Sequence, residues 1–131
     1  MKKVSFDFDD TLSYELVQDY AKSLIEQDIE VHIVTSRYED PSRYAWSCNH
    51  DDLFKVAKDL GLDKEHIHFT NFTDKWNFFK INEDFIWHLD DNMDEIITID
   101  KFTKTIGIEV LTYNWLNRCN DLLDLPNETE N

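Results

Sequence analysis

The sequence predicts an α/β protein with a parallel sheet and helices on both of its faces. Short β-rich apolar runs alternate with helical spacing along the whole chain. Every reactive-looking cluster falls where one of those runs ends. The 131 residues, 41% hydrophobic and 14% aromatic, fit one globular domain. That domain is read as residues 1–125, with a polar, fraying tail at 126–131.

The first run, Val4, Phe6 and Phe8, ends in Asp7, Asp9 and Asp10, with a hydroxyl at Thr11. Two carboxylates 4 Å apart repel by about 4 kcal/mol at an effective dielectric near 20. No basic residue follows to relieve them, so a divalent cation or a raised carboxyl pKa is expected. The alternative is an acidic turn in open solvent.

Ser13 is placed to cap a helix carrying Val17, Tyr20, Ala21 and Leu24, ending near Gln27. Val31–Val34 is the second strand and leads into Thr35, Ser36 and Arg37. A polar loop over residues 38–50 precedes a helix marked by Leu53, Val56, Ala57 and Leu60, with Gly61 at its C-cap. His66–Phe69 is a weak third strand, and Thr73 is placed to cap a short helix with Lys75, Trp76 and Phe79.

Phe85–Leu89 is the fourth strand, ending in Asp90 and Asp91. Asn92 caps a helix expected to turn Met93, Ile96 and Ile97 inward. Thr105–Leu111 is the fifth strand. Thr112 is placed to cap a last helix with Trp115, Leu116, Cys119, Leu122 and Leu123 on one face. This βαβαβαβαβα order implies a parallel sheet with right-handed crossovers, whose ligands bind outside the carboxyl ends of the strands.

A net charge of −15 argues against nucleic acid as a main partner, since phosphate backbones are bound by Lys and Arg. Two cysteines far apart give no disulfide framework, and no secretory signal or membrane span is visible. A soluble, cytoplasmic protein is expected. The oligomeric state is left open.

A phosphate monoester suits the acidic edge if a cation lies between the acids and the phosphate. A carboxylate can then attack phosphorus, and a second one two residues on, sharing a strand face, can act as acid and base. Lys75, or its rival Lys80, can hold a phosphate oxygen, and Thr35 can donate to another.

These residues resemble the motifs of the haloacid dehalogenase-like superfamily, mostly magnesium-dependent phosphohydrolases. Asp7-Phe8-Asp9-Asp10-Thr11 is similar to its DxDxT motif after an apolar strand. Thr35 stands at its second motif, Lys75 at its third and Asp90-Asp91 at its fourth, in order over residues 3–111. The resemblance implies a Rossmann-like three-layer αβα sandwich with five parallel strands in the order 5-4-1-2-3. It implies a phosphatase working through an aspartyl-phosphate, with Asp7 as nucleophile and metal ligand and Asp9 as general acid/base. Asp9 would also give its backbone carbonyl to Mg²⁺. Thr35 and Lys75 would bind phosphate, and Asp90, helped by Asp91, would hold the metal. Lys75 is preferred to Lys80 because it falls at the helix start nearer the strand end.

The family's flap and cap are missing: Thr11 runs almost directly into a helix. An uncapped, open site is therefore expected, acting on a small phosphorylated substrate such as a nucleotide. Arg37, Arg43, Tyr44 and Trp46 form a candidate substrate loop, by cation–π and stacking contacts, or else pack onto the domain. Cys48-x-His50 is half a zinc site without a second pair. His32, His66, His68 and His88 read as core or surface histidines. A binding or regulatory protein that keeps the metal site is the alternative function. A receiver-type phosphoacceptor is disfavoured, because the third strand ends in Thr70-Asn71 rather than in an aspartate.

Overall fold

A computed structural model describes residues 1–127. Five strands form one parallel sheet: β1 Lys3–Phe6, β2 Glu30–Thr35, β3 Ile67–Phe69, β4 Phe85–Asp90 and β5 Ile106–Glu109. Their order is β3-β2-β1-β4-β5, the expected order read from the other edge. Helices α1 Glu15–Glu26, α2 Asp51–Leu60, α3 Trp76–Ile81 and α4 Met93–Phe102 fill the four connections, and α5 Trp115–Leu122 follows β5. The architecture is the predicted Rossmann-like three-layer sandwich.

Alternation along each strand divides the apolar side chains between two layers. Val4, Phe6, Val31, Ile33 and Leu89 pack with Val17, Ala21 and Leu24 of α1, Leu53 and Ala57 of α2, and Cys119 of α5. On the other face Val34 packs with Phe79 of α3 and Ile99 of α4, joined by Phe85, which a one-residue irregularity between Phe85 and His88 turns to the side opposite Leu89. Gly107 lets α4 approach β5: a Cβ there would lie 2.9 Å from Ile96 Cγ2 and 3.0 Å from the Ile96 backbone.

Gly61 caps α2 at φ +79°, and the Asn92 side chain accepts from the N–H groups of Asp94 and Glu95, both as expected. Three other caps are corrected. Ser13 Oγ accepts from the Asp10 N–H, and α1 starts after Tyr14. Thr73 Oγ1 donates to the Thr70 carbonyl, and α3 starts after Lys75. Thr112 Oγ1 donates to the Glu109 carbonyl, and α5 starts after Asn114. In each case a hydroxyl in the preceding turn bonds to that turn, the competing use of short polar side chains.

Met93, Ile97 and Leu122 are exposed rather than inward. The inner stripe of α4 is carried by Ile96 and Ile99, three apart, so Ile97 falls about 100° off it. Strand β1 ends at Phe6, earlier than the apolar alternation through Phe8 implies. Asp10 adopts a left-handed backbone (φ 58°), and the chain coils into a wide helical turn, Phe8–Leu12. The Leu12 N–H bonds back to the Asp7 carbonyl at 3.1 Å. Only Ser13 and Tyr14 separate that turn from α1, so no flap intervenes.

Among the described residues no helix is long and apolar enough to cross a membrane, and Cys48 and Cys119 are unpaired. Of the expected tail, residues 128–131 lie outside the described residues.

Candidate active site

Register fixes the site's floor. Ser5 lies beside His88 and Phe6 beside Leu89, so Asp7 and Asp90 come level at the carboxyl ends of adjacent strands. The Asp7 N–H donates to the Leu89 carbonyl at 2.8 Å, extending the ladder one residue beyond β1. Ser5, Asp7, His88 and Asp90 all face the α3/α4 layer, because residues two apart on a strand share a face.

Lys75, entering from the start of α3, is buried between the two acids. Its Nζ donates to Asp7 Oδ1 at 2.8 Å and to Asp90 Oδ2 at 2.6 Å. Its backbone N–H donates to Glu95 Oε1 at 3.1 Å, which ties α3 to α4. Lys80 instead lies at the surface and reaches the Phe102 carbonyl. A buried carboxylate costs several kcal/mol unless paired, and this ammonium neutralises one of the two beside it.

Burial pushes Asp90 up, but His88 and Lys75 outweigh it and hold Asp90 well below the usual carboxylate range. Asp90 Oδ1 also accepts from the Asn92 N–H at 3.0 Å. Asp7 is raised well above that range by burial, with Lys75 opposing and Asp90 adding to the rise. Asp91 is raised too, again mainly by burial. Lys75 remains an ammonium: burial lowers it, but Asp7 and Asp90 more than compensate. One oxygen from each of Asp7, Asp90 and Asp91 lies within 4.8 Å of the others, a set of hard ligands suited to a cation such as Mg²⁺.

His88 was read from sequence as a core or surface histidine; it is buried and supports this cluster. Its Nε2 is 2.7 Å from Asp90 Oδ2 and its Nδ1 is 2.8 Å from Ser5 Oγ. Burial lowers its pKa, so the ring is neutral. A neutral ring beside an acceptor-only carboxylate donates from Nε2 and accepts a hydrogen bond from the Ser5 hydroxyl at Nδ1. The signal was available in the repeated spacing Ser5-x-Asp7 and His88-x-Asp90, which places one polar pair behind each acid.

Asp9 lies elsewhere in the site. Its side chain is outside the group formed by Asp7, Asp90 and Asp91, because the strand on which i and i+2 would share a face has already ended. Arg37 Nε and Nη2 donate to the two oxygens of Asp9 at 3.0 and 2.7 Å. The same guanidinium donates to both oxygens of Asp52 at 3.0 and 2.9 Å and lies over the Phe8 ring. These bonds, led by the one to Asp9, raise the Arg37 pKa further, while Arg37 lowers that of Asp52. Thr35 is buried, and its Oγ1 accepts from the Arg37 N–H at 3.3 Å.

Beside this ion-pair network is a recess of about 320 Å³, lined by Asp9, Ser36, Arg37, Tyr44, Trp46 and Phe72 among others. Three residues of the expected substrate loop thus line it. The fourth, Arg43, stacks its guanidinium on Tyr38 at 4.1 Å. Phe72 was missed from sequence. It and Asn71 both take left-handed backbones (φ 60° and 56°), held by bonds from their N–H groups to the carbonyls of Ser36 and Arg37. Such strain in non-glycine residues gathers at ligand sites. His50 Nε2 donates to the Tyr38 carbonyl at 2.8 Å, and among the described residues neither it nor Cys48 belongs to a metal-ligand group. A larger recess of about 550 Å³ lies between α1 and α5, away from the site's acids, and is lined by Leu16, Tyr20, Trp115 and Leu125 among others.

No protein-family model matches the chain, and no curated protein matches it. Among solved structures it is similar to the crystal structure, at 1.44 Å resolution, of an uncharacterized protein from Corynebacterium glutamicum ATCC 13032 Kitasato. That likeness has a TM-score of 0.65 at 11% identity and covers 98% of this chain and 99% of the other. It concerns the fold alone.

Proposed function

We propose that the protein is a Mg²⁺-dependent phosphohydrolase of the haloacid dehalogenase-like type, acting through an aspartyl-phosphate on a phosphate monoester. The observation that carries this reading is the buried group Asp7–Lys75–Asp90, brought together from three separate chain segments with Asp91 beside it. Buried opposed charges are weak evidence for stability, since an apolar substitute of similar volume often serves as well or better. Their presence together at the carboxyl ends of adjacent strands points to chemistry.

Asp7, Asp90 and Asp91 would hold Mg²⁺, whose positive charge would offset that of the acids and an incoming phosphate. Three oxygen donors leave room in an octahedral shell for water and phosphate oxygens. Asp7 then attacks phosphorus while the bond to the leaving oxygen breaks, giving an acyl phosphate that water later cleaves. Lys75 offsets charge on the phosphoryl oxygens, and the Thr35 hydroxyl proton is free to donate to one of them. Asp9 gives its proton to the leaving oxygen and later takes one from water. The recess beside Asp9 would take the leaving group. Its stacking rings and guanidinium suit a nucleoside.

One observation favours a second reading, a catalytically weak binding or regulatory protein that keeps the metal site. Both oxygens of Asp9 are engaged by Arg37, and the carboxyl must leave that guanidinium before it can pass a proton. Hydrolysis of p-nitrophenyl phosphate, with and without Mg²⁺, separates the readings. Turnover that needs Mg²⁺ and falls at least 10²-fold in Asp7→Asn is expected of a phosphatase using a carboxylate nucleophile. Equal turnover in mutant and native protein overturns the proposal.

A further inference from the structure

A second group of ligand-type side chains lies on the same face of the sheet, toward the amino ends of β2 and β3. Glu30 and His32 are two apart on β2 and so share a face. Ile33 pairs with Ile67, which sets His66 beside His32. One ligand atom from each of Glu30, His32 and His66 lies within 4.8 Å of the others. His32 Nε2 is already 2.6 Å from Glu30 Oε2, and the His32 and His66 rings stack with centroids 4.4 Å apart.

The outer nitrogens of both rings are engaged. His66 Nδ1 donates to the Val31 carbonyl at 3.0 Å, which leaves Nε2 as the ring's lone pair. His32 Nδ1 shares a hydrogen bond with His68 Nε2 at 2.9 Å. A hydrogen-bond partner on the far nitrogen is what fixes the tautomer of a metal-binding histidine. The Val31 carbonyl does so for His66. His32 Nε2–H, which donates to Glu30 while no ion is bound, gives way on ligation to the Nδ1–H tautomer with His68 as acceptor. The nearest cation, Lys3, is 3.8 Å from Glu30 but hydrogen-bonds to Asp84 at 2.8 Å, so its charge has its own partner.

We propose that Glu30, His32 and His66 form a binding site for a transition-metal dication of the zinc type, distinct from the acidic cluster at the opposite end of the strands. Two imidazoles and one carboxylate suit Zn²⁺ and its neighbours, whereas the three carboxylates of the other site suit a hard cation. The fourth position falls to water. The rings lie parallel to within 6°, so ligation tilts the partly exposed His66 ring out of the stack. The bound ion would staple β3, an edge strand of three residues, to β2.

The test is titration of the chelator-stripped full chain with Co²⁺, whose visible absorption reports nitrogen ligation and low coordination number, followed by displacement with Zn²⁺. The expected result is a 1:1 complex whose band is bleached by Zn²⁺. Its affinity should fall at least tenfold in His66→Gln and in Glu30→Gln and stay unchanged in Asp90→Asn. Glu30→Gln, at a partly exposed strand start, keeps the test decisive if His66→Gln folds poorly. A native protein that gives no such band, or a band that survives both substitutions, overturns the assignment. So does a band that is lost in Asp90→Asn.

Discussion

Replacing Lys75 with Met removes the one cation between two buried acids while keeping most of the side-chain volume. Breaking a buried pair by taking away one partner costs about 3–5 kcal/mol. The geometry gives a similar figure. At the 4.8 Å limit of their closest approach, Asp7 and Asp90 repel by about 3.5 kcal/mol at an effective dielectric near 20. Proton uptake sets a ceiling. From an ordinary value near 4, keeping one carboxyl protonated at pH 7 costs about 4 kcal/mol, or about 1.4 kcal/mol per pH unit. Total stability is only about 5–15 kcal/mol, so the variant is marginal at neutral pH.

The sign follows from the direction of the shift. Without Lys75 the Asp7 carboxyl, already raised by burial, rises further. A folded-state pKa above the unfolded one gives stability that is present at low pH and lost as pH rises through the window between them. The Lys75→Met penalty should therefore shrink by about 1.4 kcal/mol per unit as pH falls from about 7 toward 5. Urea unfolding measures it directly, as a midpoint shift of roughly 1.5–4 M at neutral pH for a slope of about 1–2 kcal/mol per M. Asp7→Asn added to Lys75→Met should recover part of the loss, a non-additivity expected of direct partners. A penalty below about 1 kcal/mol, or one equal at pH 5 and 7, would refute the electrostatic account of this site.

Gly107→Ala places a methyl 2.9 Å from Ile96 Cγ2 and 3.0 Å from the α4 backbone. It should lower stability by about 1–3 kcal/mol in chemical denaturation, and Ile96→Ala in the same chain should relieve part of the crowding. Burial also holds His68 neutral, lowering its pKa from 6.5 to about 4. A depressed histidine pKa gives stability that is present above the unfolded value and lost as pH falls through the folded one. With chelator present, the urea midpoint should decline below about pH 6.5 and continue down to about pH 4, less steeply in His68→Gln than in the native chain.

The layers were legible because their cause is local. Alternation in Val31–Val34 and Phe85–Leu89, the helical stripe of Leu53, Ala57 and Leu60, and the punctuation at Gly61 and Asn92 each depend on a few neighbouring residues. Lys75 was also legible over Lys80, because proximity to a strand end is a matter of sequence distance. What escaped depends on contacts between distant segments. The preference of Asp9 for Arg37 over the company of Asp7 follows from the left-handed turn at Asp10, which ends the strand early. His88 looked like any buried histidine until β1 set Ser5 against it. The hydroxyls of Ser13, Thr73 and Thr112 all fit the cap pattern, and each bonded within its own turn instead.

Strand order has a consequence for synthesis. β1 emerges first but occupies the middle of the sheet, between β2 and β4. On the ribosome it can pair with β2 while its other edge waits for nearly fifty further residues, and such long-range parallel pairing is slow. For most of that interval Asp7 has neither its ammonium nor its partner acid, because Lys75 is added only shortly before β4 and Asp90 ends that strand. The charged centre is therefore assembled late, and a nascent fragment that stops short of Lys75 carries the first acid of the site without the means to bury it.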